Sequence, residues 1–377
     1  MLRLIISVLL LLVSLLILFK APLHFLWLLA VVITNYPYIF MLLSSALFIS
    51  CFWAAKLKLA GMFISFVSLV IYTLPVLSAY KQAGYLQDNF TKAFPSTYKQ
   101  GQLKQPYSFF AMFAGIGIKD VVPQILTYKT VDGKNLTLDY YPSSSNNPSP
   151  VIVVVHGGSW ENGDSKQFID FNSYFASRGY NIAAINYRLA PAYQSPAPMD
   201  DTKDAVAWLT NNAPTLKIDT SNIVLLGRSA GAQIALVAAY SSHNPNIKGV
   251  IDFYGPADMV WGGQVKPNNL MLNTNQIYKD YFGGIYNEVP QNFKANSACE
   301  YVNASTIPTL IIHGEIDAMV SHIHSEHLSA KLAQYNVSHY FVSLPFATHA
   351  CDYSINSPGG QLTTYAVERF IQSVIKH

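Results

Sequence analysis

One pentapeptide restricts what this chain can fold into more than any other stretch: Gly227-Arg228-Ser229-Ala230-Gly231. Residues 223–226 before it read as a buried strand, and the run from Ala230 through Ala239 reads as a helix. A strand that turns sharply into a helix crowds its own backbone, so both glycine positions need small residues. The strain lifts the serine oxygen above the sheet, at a helix N-terminus. Ser229 is therefore the candidate nucleophile.

The surrounding texture agrees. Short β-branched runs at 125–130, 136–141, 151–155, 182–186, 223–226, 249–253, 309–313 and 340–344 alternate with helical patterns at 166–178, 199–212, 230–242, 325–334 and 362–375. Such alternation predicts an α/β domain over 125–377, with a mainly parallel sheet flanked by helices.

The strand at 151–155 runs into His156-Gly157-Gly158-Ser159-Trp160. Acyl transfer develops negative charge on a carbonyl oxygen, and losing one preorganised N–H donor to it costs about 2.7–4 kcal/mol. Glycine lets the backbone approach a substrate closely. The expected donors are the amides of Gly157, Gly158 and Ala230, while His156 itself is expected to be structural.

A serine nucleophile needs a histidine base held by a carboxylate. His349 lies in the loop after the last strand and is the expected base. His322, His324 and His327 open a helix and are expected to face solvent; His339 begins the last strand. The acid belongs in the loop after the preceding strand, where Asp317 fits best and Glu315 is the rival. Asp352 is expected to be solvated, and the Tyr187-Arg188 pair structural.

These motifs together resemble the hormone-sensitive-lipase-like esterases and the related carboxylesterase, feruloyl-esterase-like group. The resemblance rests on His156-Gly157-Gly158-Ser159-Trp160, on Asn186-Tyr187-Arg188-Leu189-Ala190-Pro191, on the serine pentapeptide, on the run from Ile307 through His313-Gly314 and Asp317 to Val320, and on the late His349. It covers residues 125–377. It implies the α/β-hydrolase fold, a Ser229-His349-Asp317 triad and hydrolysis of carboxylic esters without a cofactor or metal. Departures from the pattern are Ser159 where the family often has Gly, Arg228 where it often has Asp, and Ala350-Cys351 after the base instead of Gly-Phe. They bear on substrate preference, because backbone amides survive the first change. An amide or formamide hydrolase, similar to kynurenine formamidases, is the second enzymatic reading. A catalytically dead membrane scaffold is the third.

The N-terminal portion is of another kind. No Asp or Glu occurs before Asp88, and five of the 24 Lys and Arg lie in that stretch, so 19 basic residues face 21 acidic ones from there on. The net charge of +3 thus comes from Arg3, Lys20, Lys56, Lys58 and Lys81 flanking apolar runs, and no basic patch points to nucleic acid. Only 12% of the chain is charged, against about 25% in an average soluble domain.

The runs at 4–19, 21–55 and 59–80 predict a transmembrane region of about three helices over 1–80. Asn35-Tyr36-Pro37-Tyr38 interrupts the second, so its span is expected over 39–55, with 22–34 interfacial or re-entrant. Arg3 and the first run suit a signal sequence, but no small-x-small cleavage site follows. Residues 81–124 show little periodicity and are expected to be a linker or cap segment. The expected partners are the membrane and a small-molecule or lipid-like ester. Lys56 and Lys58 in one short loop, with Arg3, favour an extracytoplasmic catalytic domain under the positive-inside bias. Cys51 is expected to be inert. Cys299 and Cys351 are expected to be buried free thiols, or a disulfide if the domain faces an oxidising compartment.

Overall fold

Eight strands form one sheet in the computed structural model, which describes residues 1–54, 56–94 and 105–375. They are β1 (Gln124–Val131), β2 (Lys134–Tyr141), β3 (Ser149–Val155), β4 (Asn181–Ile185), β5 (Ile218–Arg228), β6 (Ile247–Phe253), β7 (Thr309–Gly314) and β8 (His339–Leu344). The order is β1-β2-β4-β3-β5-β6-β7-β8, antiparallel at β1/β2 and β2/β4 and parallel elsewhere. Each strand expected from the sequence is found. β5 begins earlier than its apolar run because Ile218 pairs with Ser149 ahead of it.

Alternate side chains of a strand serve opposite faces. Val151, Val153 and Val155 join one buried cluster, with the helices Ala197–Asn211, Ala230–Ser242 and Ile323–Gln334 on that face. Ile152 and Val154 join the other, under the helices Ile169–Ala176 and Pro358–Val374. Two covered faces explain why the central runs are apolar throughout.

The N-terminal residues form helices α1 (Leu2–Ser14), α2 (His24–Asn35), α3 (Pro37–Ser50) and α4 (Lys58–Ala93). Among them, α4 alone is long and apolar enough to cross a membrane. Residues 37–53 form a span with α2 only as a pair bent by 85°, and the first apolar helix is shorter. The bend follows from Pro37: with no N–H and a fixed φ it cannot continue α2, but it is well placed to start α3. Buried polar contacts tie α1 to α4, with Ser7 Oγ 2.8 Å from Ser65 Oγ and Tyr72 OH donating to Leu10 O at 2.8 Å.

Residues 81–93, expected to begin a linker or cap segment, continue α4. Ala79, Leu86 and Phe90 form a buried stripe that packs against the sheet. Residues 95–104 of that segment lie outside the described residues, as does Ala55 at the end of the second apolar run.

Asp252 in β6 is fully buried. Its Oδ1 accepts from Gly255 N at 2.8 Å, and its Oδ2 has no partner among the described residues. Burial pushes its carboxyl up to about 7, although the Gly255 hydrogen bond pulls the other way. An unfolded Asp titrates near 3.9. Its contribution to stability is therefore full below about pH 4 and is lost as pH rises to 7. Asp252→Asn keeps the acceptor for Gly255 and removes the titration. The variant should melt about 5 °C above the parent at pH 8 and no higher at pH 4. Melting curves of the solubilised chain across this range check it; a gain independent of pH would refute the assignment.

Candidate active site

Ser229 stands between β5 and the helix Ala230–Ser242 with φ 53° and ψ −124°, a conformation a side-chain-bearing residue rarely adopts. The elbow is held on both sides. Ser229 N donates to Phe253 O at 2.9 Å, and Ala232 N donates to Ser229 O at 2.9 Å. A Cβ on Gly227 would sit 2.2 Å from Gly231 O, and one on Gly231 would sit 2.3 Å from the carbonyl oxygens of Val155 and His156. Glycine at both positions is thus required by contact as well as by the turn.

His349 and Asp317 meet from two separate loops. His349 Nδ1 lies 2.7 Å from Asp317 Oδ2. The carboxylate is buried and fully engaged: Oδ1 accepts from the amides of Met319 and Val320 at 2.8 and 2.9 Å, and Oδ2 accepts a second bond from His313 at 3.1 Å. Burial alone would push this carboxyl up, but the two histidines outweigh it and hold it well below the usual range. A carboxylate can only accept, so Nδ1 of His349 carries a proton and directs it at Asp317.

His313 was not singled out from the sequence. Its Nε2 faces two acceptors, Asp317 Oδ2 and Val320 O, so a proton is there, and Nδ1 lies 2.7 Å from Ser325 Oγ. The signal was its spacing of four residues from Asp317 at the end of β7.

Glu315 is exposed and its Oε1 accepts from Ser343 Oγ at 2.8 Å. His322 and His327 pair with Glu326 and Asp258. Two expectations of solvation are corrected. His324 is buried, accepts from Asp258 N at 3.2 Å, and is driven down to about 3 by burial above all. Asp352 is also buried. It receives Arg228 Nε at 2.7 Å and Tyr254 OH at 2.6 Å, and Tyr254 packs its ring 4.5 Å from that of His349.

The Gly-rich loop also needs a correction. Gly157 N donates to Gln167 Oε1 at 3.2 Å, so the amide expected to face an oxyanion is already committed. The amides of Gly158, Ser159 and Ala230 have no partner among the described residues. Gly158, Ser159 and Trp160 all have positive φ, at 128°, 54° and 62°. Trp160 pins this turn: its Nε1 donates to Gln233 Oε1 at 2.9 Å and its ring stacks on Tyr281 at 4.6 Å. His156 is stacked on Tyr187 at 4.2 Å and lowered to about 4 by burial, which leaves it neutral and structural. Arg188 binds Asp201 through Nε, so the Tyr187-Arg188 pair is structural too.

Ser229 and Ser159 line two cavities, of about 340 Å³ and 710 Å³. Asp317 and Ala230 border the smaller, and His349, Gly158 and Arg228 the larger. The three cysteines are buried and free, with Cys299 and Cys351 in clusters on opposite faces of the sheet.

A mainly parallel sheet with a strained serine elbow after β5, and an Asp and a His in the loops after β7 and β8, defines the α/β-hydrolase class. The chain belongs to the BD-FAE family, whose model matches residues 138–332. Esterase LipQ of Mycobacterium tuberculosis is 29% identical over 217 residues, which are 54% of this chain and 51% of the relative. Esterase LipC of the same organism is 25% identical over 241 residues, 60% of this chain and 59% of the relative. The chain thus spans about half the length of the curated relatives it matches. A solved bacterial heroin esterase superposes with a TM-score of 0.59 at 19% identity, covering 77% of this chain and 98% of that one. A solved chain from a structural analysis of two Rhizomucor miehei esterases superposes with a TM-score of 0.55 at 19% identity, covering 69% of this chain and 86% of that one. At these identities the likeness is one of fold.

Proposed function

We propose that this chain is a membrane-anchored carboxylic-ester hydrolase with the triad Ser229, His349 and Asp317. The observation that carries the reading is the 2.7 Å contact of His349 with a buried, anionic Asp317, beside the cavity that Ser229 lines. Nε2 of His349 takes the hydroxyl proton as Ser229 Oγ attacks the ester carbon. The tetrahedral oxyanion is held by the free amides of Gly158, Ser159 and Ala230. The imidazolium returns the proton to the departing alcohol, and water then hydrolyses the acyl-enzyme by the same base. Asp317 fixes the tautomer and stabilises the imidazolium.

The esterases among the curated relatives favour an ester over an amide or formamide, which the same groups could attack. A panel of acyl esters and N-formyl amides, run on the solubilised full chain beside fluorophosphonate labelling, tests this. Ester turnover with a labelled protein supports the reading. Faster formamide turnover favours the second enzyme, and neither turnover nor labelling makes the chain a scaffold.

The anchor is residues 1–80 and the catalytic domain 125–377, joined through the end of α4 and the segment after it. The exposed apolar side chains of Leu42, Leu59, Phe63 and Leu77 suit a bilayer and not water. We place the catalytic domain outside the cytoplasm. Lys134, exposed in the β1–β2 hairpin, offers a test because the native thiols are buried. Lys134→Cys should react with an impermeant maleimide in intact cells; reaction only after permeabilisation would reverse the topology.

A further inference from the structure

The N-terminal helices do more than hold the hydrolase at a membrane, because they wall its cleft. Lys20 and Ala21 line the smaller cavity beside Ser229, and Trp27 and Tyr36 line the larger. Trp27 of α2 meets the His349 ring edge-on, with centroids 6.2 Å apart, and its Nε1 has no partner among the described residues. At the end of α2, Asn35 grips the base loop from both sides. Its Nδ2 donates to Ala350 O at 3.3 Å and its Oδ1 accepts from Ser354 N at 3.1 Å. Leu16, Ile17, Ala30 and Ile33 pack in one cluster with Met271, against Met319 and Phe346 from the acid and base loops. Backbone contacts close the joint, with His24 N donating to Leu270 O at 3.3 Å.

The outer surface of this joint is apolar. Phe25, Leu28 and Val32 of α2 share one helical face and are 64%, 49% and 44% exposed. Beside them on the hydrolase, Leu270 is 69% exposed, and each cavity carries exposed apolar side chains at its edge: Val265 on the smaller, Ile169 and Tyr353 on the larger. The helices joined to α2 carry exposed apolar side chains of their own, Leu42 on α3 and Leu59, Phe63 and Leu77 on α4, and so the occupant of this edge is the bilayer surface.

We infer that α2 and its bend at Tyr36 form the membrane-side wall of the active-site cleft, and that the substrate is a long-chain lipid ester entering from the bilayer. Its acyl and alcohol arms divide between the two cavities that meet at Ser229. Such an ester is dilute in water and concentrated in the bilayer. It passes from one apolar medium to another without its chain being hydrated. The inference rests on the esterase and membrane readings above and adds the substrate class and its route.

The test uses the full chain reconstituted in phosphatidylcholine vesicles. One substrate is dioleoylglycerol at a set mole fraction in the same vesicles, and the other is p-nitrophenyl acetate in water. Both should be hydrolysed, the lipid at a rate that follows its mole fraction in the bilayer. Phe25→Asp and Leu270→Asp, at two separate points of the apolar edge, should each lower the ratio of lipid to soluble turnover about tenfold, and Lys134→Ser should leave that ratio unchanged. Hydrolysis of the soluble ester without the lipid, or a change in ratio below threefold in both edge variants, would overturn the inference and leave the hydrolase reading standing. Loss of both activities together with fluorophosphonate labelling in the parent chain would overturn both.

Discussion

Ser229→Ala is expected to abolish fluorophosphonate labelling and to lower ester turnover about a millionfold, as loss of the serine does in other triads. The size of the effect follows from the division of labour at the site. Under the proposed mechanism His349 Nε2 has no other acidic hydrogen to take, and the amides of Gly158, Ser159 and Ala230 would face an oxyanion that no longer forms. The fold should be untouched. The Ser229 side chain makes no hydrogen bond among the described residues, and the contacts that hold the elbow belong to its backbone. Alanine also carries a Cβ and meets the same strain at φ 53°. Unchanged melting with lost turnover is the expected pair of results. Labelling that survives would place the nucleophile elsewhere.

Asp317→Asn is expected to lower kcat about ten-thousandfold, through the wrong tautomer of His349. Here the change strikes two rings. Both His349 Nδ1 and His313 Nε2 donate to the same Oδ2, and an amide nitrogen at that position turns an acceptor into a donor facing two donors. One ring or both must move their proton, and a proton moved to His349 Nε2 blocks the base. Glu315→Gln is the control: the carboxylate is exposed and its contact is to Ser343, so less than a threefold change is expected from a surface polar swap. Initial rates for the two variants on one ester decide the matter. A large loss in Glu315→Gln with a small one in Asp317→Asn would exchange their roles.

What could be read from the sequence had local causes. The strands stood out because central parallel strands are apolar on both faces, and the elbow because its glycines answer to contacts within a few residues. Asp317 and His349 followed from their places after β7 and β8. What could not be read depends on distant partners. Asp352 looked like a solvated acid next to the base; its burial is explained by Arg228 and Tyr254. His324 is buried by Trp261 and the backbone of Asp258. The donor at Gly157 was lost to Gln167, a side chain in a loop with no pattern of its own. Asn35 meets a loop more than 300 positions away, and no periodicity in an apolar run announces that. The extension of α4 past residue 80 was not read, because the Tyr, Gln and Lys between Ala79, Leu86 and Phe90 hide the stripe that these three bury.

The far end of α4 lies along β8, the last strand of the sheet. Gln82 Nε2 donates to Ser343 O at 3.0 Å, Asn89 Nδ2 donates to Tyr340 OH at 3.2 Å, and Phe90 packs edge-on to Tyr340 at 4.8 Å. An uncovered sheet edge is a template for pairing with another chain. Removing residues 1–104 to obtain a soluble enzyme would therefore uncover the rim of β8 and the apolar floor under Leu86 and Phe90, while opening the cleft at Trp27. A shortened protein of this kind invites self-association, so handling it in water calls for keeping residues 81–93 or replacing the apolar side chains they cover. In this chain the apolar N-terminal helices and the hydrolase domain share a packed wall, and a cut made at the end of the hydrophobic sequence passes through the middle of it.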